Sequence, residues 1–164
     1  MPRQQADFTD VIERLHRQTS FRRGARGVLL TSCGADGRPN AMTIGWGLYG
    51  SSYRGHEVAV VAVRPACHSF KLLEEVGEFV LCVPAEQIAE AVDFCGRESG
   101  RDGDKFAATG LTPIPSTHVR PPSIAQCPVH VECRIYHKQR PPHSSSSESV
   151  QAHPPPPRSG TRHP

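Results

Sequence analysis

A short apolar run at residues 58–63 constrains the fold of this chain more than any other feature. Its six residues are all valine or alanine, which favours a buried strand. The run stops at Arg64 and Pro65, and apolar side chains recur at helical spacing over residues 70–76, with Ser69 as the expected N-cap. The sequence therefore predicts a buried strand that turns directly into a helix.

Such a strand-to-helix turn can bind an anion. The free N–H groups and dipole of the helix start, together with the Arg64 guanidinium, favour a phosphate group there. Thr43 and Gly45, on the preceding predicted strand, are small enough to let a flat ring approach the backbone. Many turns of this kind bind nothing, so the pattern alone leaves a purely structural role open.

Composition limits the class of protein. The chain has 164 residues, enough for one domain, and carries a net charge of +3. The segment from residue 140 onward contributes +2 of that charge, which leaves a nearly neutral body and argues against a nucleic-acid partner. No apolar run is long enough to span a membrane and no signal peptide is evident, so we expect no membrane association and a cytoplasmic protein.

Motifs for metal binding or covalent catalysis are missing from the sequence. The six cysteines form no CxxC pair and the nine histidines no HxH or HxxxH pair, so we expect no metal site. There is no P-loop, GxSxG elbow or GxGxxG motif, and we assign no catalytic side chain. Cys67 is the one cysteine near a helix start, where a thiolate would be favoured.

The order of predicted elements indicates a mainly β fold with peripheral helices, a barrel or a sandwich. We expect a helix over residues 8–18, a hairpin of strands 28–33 and 40–46, and a glycine-containing loop over 47–55. Further along, we expect strands 79–83 and 129–136, the latter with strictly alternating burial. The polar loop 95–106 between them is either a solvated connection or a loop closing over a ligand.

Several sequence blocks, taken in order, resemble the flavin reductase-like, FMN-binding split-barrel family, which includes flavoredoxins. These blocks are NAMTIGWG at 40–47, VRP at 63–65 with Ser69, GEF at 77–79, CG at 95–96, SGRD at 99–102, DKF at 104–106, GLTP at 110–113 and EC at 132–133. The resemblance implies a six-stranded Greek-key split barrel over residues 28–139, preceded by a helix and loop at 1–27. It also implies a homodimer that binds FMN near the subunit interface, with NAD(P)H as electron donor and sometimes an oxygenase or another electron acceptor as partner.

The resemblance also implies which residues bind the cofactor. By position in the blocks, five residues would line the isoalloxazine: Met42, Thr43, Ile44, Gly45 and Trp46. Arg64 and Ser69 would bind the phosphate, and Arg101 and Lys105 would lie in a loop near the flavin. Flavin chemistry agrees with the absence of a nucleophile, because the ring accepts the hydride and the protein only orients and stabilises it.

Two departures from the family pattern bear on function. Ala66, Cys67 and His68 stand where relatives tend to have serine, arginine and an aromatic residue, so phosphate partners are missing unless protonated His68 compensates. We therefore expect weak FMN binding, especially at high pH. The second departure is the segment 140–164, which has seven prolines and no Leu, Ile, Phe, Met, Trp or Tyr. We expect this tail to be disordered and the C-terminal barrel strands to be missing.

These observations leave three functions open. The first is an FMN-dependent oxidoreductase of the flavin reductase type. The second is a flavin-binding electron carrier without turnover, in the manner of flavoredoxin. The third is an inactive truncated remnant, or an interaction protein whose proline-rich tail is the ligand.

Overall fold

The computed structural model describes residues 27–51, 57–139 and 148–153. Within those residues the fold is mainly β, with helices at the periphery, as predicted. The strands are β1 Val28–Cys33, β2 Pro39–Ile44, β3 Gly47–Ser51, β4 Glu57–Val63, β5 Glu78–Val83, β6 Pro113–Ile114, β7 Ser123–Ile124, β8 Val129–Gln139 and β9 Glu148–His153. The helices are α1 His68–Val76, α2 Ala89–Arg97 and α3 Lys105–Thr109, and a 3₁₀ turn at Glu86–Ile88 precedes α2.

Seven strands form one antiparallel sheet in the order β2-β1-β5-β8-β9-β4-β3, one strand more than the resemblance implied. The two edge strands, β2 and β3, are joined by only Gly45 and Trp46. In a flat sheet with a spacing of about 4.8 Å between strands, these edges would be nearly 30 Å apart. The sheet must therefore curl until the edge strands β2 and β3 come close to each other. These two strands do not pair in the described sheet, so the barrel stays open along that edge, as a split barrel does.

Two apolar cores pack against opposite faces of the curled sheet. The inner core fills the barrel, and its largest fully buried side chain is Phe79. The outer core lies between the sheet and the helical segments, where Val92 and Cys95 of α2 and Phe106 of α3 pack on Leu29 of β1. Strands β1 and β5 are buried on both faces, so they read as continuous apolar runs.

Several local predictions are confirmed. β1 and β2 form the expected hairpin, with Val28 opposite Ile44, and its turn is closed by a hydrogen bond from the Gly37 N–H to the Gly34 carbonyl. Gly77 ends α1 in the left-handed conformation, with a φ of 69°. β8 shows the predicted alternation, since Val129, Val131 and Cys133 face the inner core.

Three local predictions are wrong. Residues 47–51, expected as loop, form strand β3, because β4 offers an unpaired edge that glycine-containing backbone can join. α1 begins two residues earlier than expected, so Cys67 is its N-cap, and Ser69 is buried inside the first turn. The polar segment 95–106 is partly helical: α2 runs to Arg97, and the Asp104 carboxylate caps α3 by accepting from two backbone N–H groups.

The tail prediction is wrong for residues 148–153. These residues form β9, which lies between β8 and β4 and pairs with both. The short segment ESVQAH alternates in polarity, and the side chain of Ala152 is fully buried. Composition averaged over the whole tail concealed this six-residue pattern, and the unpaired edges of β8 and β4 supply its backbone partners. Here the barrel strand expected to be missing is present.

Two further predictions lie wholly or partly outside the described residues. The helix expected over residues 8–18 is one, and the remainder of the tail is the other. Of the helices that the structure describes, none is long and apolar enough to cross a membrane.

Candidate functional site

A cavity of about 400 Å³ lies where β2, the end of β4, the start of α1 and the segment after α2 meet. Its walls include nine of the ten residues predicted for the cofactor site: Met42, Thr43, Ile44, Gly45, Arg64, His68, Ser69, Arg101 and Lys105. These residues are far apart in sequence, and the fold brings them together around one cavity. The volume is in the range of small-molecule binding sites.

Trp46 is the exception. It does not line the cavity, and its side chain is 37% exposed at the corner between β2 and β3. Its carbonyl accepts a long hydrogen bond of 3.5 Å from the Ala62 N–H, which ties the corner to β4. Within a single chain, Trp46 is therefore a corner residue and not a wall of this cavity.

Lys105 supports the wall from inside. Only 5% of the residue is exposed, and its Nζ donates to the carbonyls of Ala41 and Cys95, both at 2.9 Å. Burial lowers the pKa of the Lys105 ammonium, and the neighbouring Cys95, Cys67 and Glu98 act in the opposite direction. Lys105 thus links strand β2 to the C-terminal end of α2. The resemblance had implied only that Lys105 lies in a loop near the flavin.

Thr43 has a similar supporting role. Its hydroxyl donates to the Val92 carbonyl at 2.6 Å, so it is engaged with α2. Gly96 lies against the same side chain, and a Cβ at that position would come within 3.2 Å of the Thr43 Cβ. The close approach of α2 to β2 therefore depends on the Thr43 hydroxyl and on the absence of a side chain at Gly96.

Asn40 and Gly100 also build the site, and sequence reasoning did not single them out. The Asn40 Nδ2 donates to the buried Ser69 Oγ at 2.8 Å, which leaves the Ser69 proton free for another acceptor. A Cβ at Gly100 would lie 2.0 Å from the Asn40 Oδ1 and 2.9 Å from the His68 Cδ2. The available signals were the place of Asn40 at the start of the NAMTIGWG block and that of Gly100 in the SGRD block.

The start of α1 presents unused donors to the cavity. Cys67, the N-cap, makes no side-chain capping bond, and the first turn carries no acidic residue. Its own N–H donates to the Arg64 carbonyl at 2.9 Å. Among the described residues, the N–H groups of His68 and Ser69 have no acceptor. Free amides at a helix start are a favourable place for an anion.

His68 is the one side chain of the cavity with an unsatisfied buried atom in the described part of the chain. Its Nδ1 is inaccessible to solvent and has no hydrogen-bond partner. Such an atom costs about 1–3 kcal/mol. Burial lowers the pKa of the His68 imidazole, and the nearby cations Arg101, Lys71, Lys105 and Arg38 lower it further.

Two guanidinium groups complete the positive side of the cavity. Arg64 and Arg101 are exposed, and neither forms an ion pair with any carboxylate in the described segments. Glu98 is the one acidic residue in the cavity wall, against the cations Arg64, Arg97, Arg101 and Lys105. The cavity therefore combines an anion-binding end with an apolar side formed by Met42 and Ile44 of β2.

The described part of the chain contains no cluster of side chains suited to a metal ion. Over residues 27–51, 57–139 and 148–153, no three His, Cys, Asp or Glu side chains come together as a potential metal site. What the cavity offers is orientation and charge complementarity for a ligand.

Sequence comparison agrees with the fold. Residues 21–147 match the family described as the flavin reductase like domain, and the chain belongs to this family. A protein of Archaeoglobus fulgidus is 33% identical over 98 residues, which are 60% of this chain and 54% of that protein.

Solved structures of related proteins have the same fold. Flavoredoxin of Desulfovibrio vulgaris superposes with a TM-score of 0.65 at 27% identity, over 76% of this chain and 65% of that one. The 2-nitrobenzoate 2-nitroreductase NbaA of Pseudomonas fluorescens superposes with a TM-score of 0.67 at 23% identity, over 92% of this chain and 70% of that one. The chain thus spans about half of the Archaeoglobus protein and less than two thirds of the flavoredoxin.

Proposed function

We propose that the chain binds FMN in this cavity and passes electrons from NAD(P)H through it to an acceptor, which is a small molecule or a partner oxygenase. The observation that carries the proposal is the set of unpaired donors at the start of α1, next to an apolar wall on β2. The family to which the chain belongs and its structural likeness to flavoredoxin support the same ligand.

The anion-binding end fits the phosphate of a mononucleotide. The N–H groups of His68 and Ser69, the free Ser69 proton and the Arg64 guanidinium can all donate to phosphate oxygens. Within the described residues, none of these donors is already bonded to a protein acceptor that it would have to give up. This donor set replaces, in part, the serine and arginine that the family pattern has at positions 66 and 67.

The other end fits a flat ring. Met42 and Ile44 line this end, with the Met42 side chain partly buried, and Gly45 is exposed, with no atom within 4 Å of the place where a Cβ would stand. When bound, FMN would supply the redox chemistry of the reaction. The protein would hold the ring against β2, keep Lys105 within the cavity wall as a fixed positive charge, and exclude water from one face of the site.

A flavin titration followed by a turnover assay tests this function. We expect FMN to bind saturably, with a perturbed visible spectrum, and riboflavin to bind more weakly because it lacks the phosphate. With FMN bound, we expect steady oxidation of NADH or NADPH in air. FMN binding without turnover would favour the electron-carrier alternative, and soluble protein that binds neither flavin would overturn the proposal in favour of an inactive remnant.

We also propose that two chains associate through the outer face of β3. Leu48 is 58% exposed there, and Trp46 adjoins it at the corner beside the cavity. Two exposed large apolar side chains at a sheet edge are typical of an interface. A second chain on this face would bring Trp46 close to a flavin site.

Light scattering after gel filtration tests the association. We expect the mass of a dimer for the wild type and that of a monomer for Leu48→Glu, because a buried unpaired carboxylate is strongly unfavourable. Ala125→Glu adds the same charge at another exposed position and should remain a dimer. A monomeric wild type would contradict the proposal.

A further inference from the structure

A second cavity, of about 510 Å³, lies beside the proposed flavin site. It is bounded by the turn of the β1–β2 hairpin, by residues 68–75 of α1 and by the loop 100–104, and its volume is in the range of small-molecule binding sites. The two cavities share three wall residues, His68, Gly100 and Arg101. FMN in the first cavity leaves this second space unused.

The shared wall is tightly packed at its inner part and exposed at its outer part. A Cβ at Gly100 would come within 2.9 Å of the His68 Cδ2, so these two residues pack closely against each other. Arg101, in contrast, is exposed, and both cavities are open to solvent. A ligand that occupies both cavities therefore crosses the wall beside the Arg101 guanidinium.

Two guanidinium groups line the second cavity without an ion pair to any carboxylate of the described segments. One is Arg101 in the shared wall, and the other is Arg38, just before β2. Both side chains are exposed. A guanidinium presents N–H donors in the fixed geometry that phosphate oxygens accept, so this pair favours a ligand that carries a phosphate.

The carboxylates of the second cavity already have donors. Asp36 accepts from a backbone N–H at 3.0 Å, and Asp104 accepts from two backbone N–H groups at the start of α3. Glu75 accepts from a backbone N–H at 3.2 Å and pairs with Lys71 at 3.7 Å. The two arginines are therefore the cations of this cavity that remain available to an anion.

The rest of the wall offers a surface for a flat ring. Gly34, Ala35 and Gly103 contribute mainly backbone, and no atom lies within 4 Å of the place where a Cβ of Gly103 would stand. Pro39 and Leu72 contribute aliphatic carbon. A wall of this kind, with a few charged groups at one side, suits a base that is attached to a phosphate.

We propose that the second cavity binds the adenosine monophosphate half of FAD while the FMN half occupies the first cavity. The inference rests on the proposed function, because it starts from a flavin phosphate at the start of α1. In FAD the adenosine is joined to that phosphate through a second phosphate. The pyrophosphate crosses the wall beside Arg101, and Arg38 binds the second phosphate from the other side of the cavity.

Fluorescence titration with FAD and with FMN tests the inference, because the two flavins differ only in the adenosine monophosphate group. We expect the wild-type protein to bind FAD about tenfold more tightly than FMN, as one more charge-assisted contact provides. Equal or weaker binding of FAD would overturn the inference and leave the proposed function intact. Failure of both flavins to bind would overturn both.

The variant Arg38→Gln tests which cavity the adenosine half occupies. Arg38 lines the second cavity and not the first, so we expect affinity for FAD to fall about tenfold and affinity for FMN to change by less than about twofold. Arg97→Gln is the matched control, since Arg97 lines only the first cavity, and its ratio of FAD to FMN affinity should equal that of the wild type. A wild-type ratio in Arg38→Gln would overturn the inference.

A nicotinamide dinucleotide also carries an adenosine phosphate, so NAD⁺ is the competing occupant. We expect NAD⁺ to bind the FMN-loaded wild type and the FMN-loaded Arg38→Gln variant equally, as measured by calorimetry. If the variant weakens NAD⁺ binding and keeps the wild-type ratio of FAD to FMN affinity, the second cavity belongs to the electron donor and the assignment to FAD is wrong.

Discussion

The polar side chains of one cavity wall divide into two groups. Lys105, Thr43 and Asn40 are bonded to protein atoms that they hold in place. Arg64, Arg101 and His68 line the cavity, and no ion pair or side-chain hydrogen bond holds them to other side chains in the described residues. The difference teaches that lining a site is not the same as contacting its ligand, since the first group shapes the wall and the second is left for the ligand.

The largest effect should come from the group that shapes the wall. Lys105→Met leaves the carbonyls of Ala41 and Cys95 without their donor, so we expect a loss of about 3 kcal/mol in the free energy of unfolding. Urea denaturation followed by circular dichroism measures it. Lys71→Met, at an exposed lysine of α1, should change stability by less than about 0.5 kcal/mol. If the two variants lose similar amounts of unfolding free energy, Lys105 does not belong to the residues that shape the cavity wall.

The next effect should come from Gly100. Its replacement by alanine puts a Cβ 2.0 Å from the Asn40 Oδ1, so Asn40 or the loop must move, at a cost of about 2 kcal/mol. Because Asn40 orients Ser69, we also expect weaker FMN binding. Gly103→Ala is the matched control, since nothing lies within 4 Å of its added methyl group. If both variants unfold at the same urea concentration, the close packing of this loop is not required.

The smallest effect should come from a residue left for the ligand, and it should spare stability. Arg64→Gln removes an exposed guanidinium that pairs with no described carboxylate, so we expect unchanged unfolding. FMN affinity should fall about tenfold, through loss of a charge-assisted hydrogen bond. Riboflavin affinity should not change. A fluorescence titration with both flavins decides this, and an equal loss for both would assign Arg64 to the ring and not to the phosphate.

The sequence predicted most of the residues that line the cavity. It did not show which of them are bonded to protein atoms and which remain available to a ligand. Eight of the nine predicted residues that line the cavity stand in the ordered blocks, and the ninth, His68, stands where the chain departs from the family pattern. No block could show that the Lys105 ammonium is bonded to two carbonyls, one on β2 and one at the end of α2, since those partners are distant in sequence. Trp46 shows a related limit, because its place in a block gave its position in the chain but not that it lies outside the lining of this cavity.

The strands also differ in how far local sequence predicts them. β1, β5 and β8 were predictable because burial on one or both faces leaves a pattern in the residues themselves. β3 and β9 are formed from segments with weak patterns, and they are strands because neighbouring strands offer unpaired backbone groups. Their formation is decided by the fold and not by local propensity.

The position of β9 has a consequence for the order of assembly. Among the described strands of the main sheet, β9 is the one that joins β2-β1-β5-β8 on one side to β4-β3 on the other. During synthesis, the backbone edges of β8 and β4 therefore stay open until residues 148–153 have left the ribosome. Closing that seam is a long-range event that follows the local hairpins, so the nascent chain exposes two sheet edges to chaperones or to other chains in the interval.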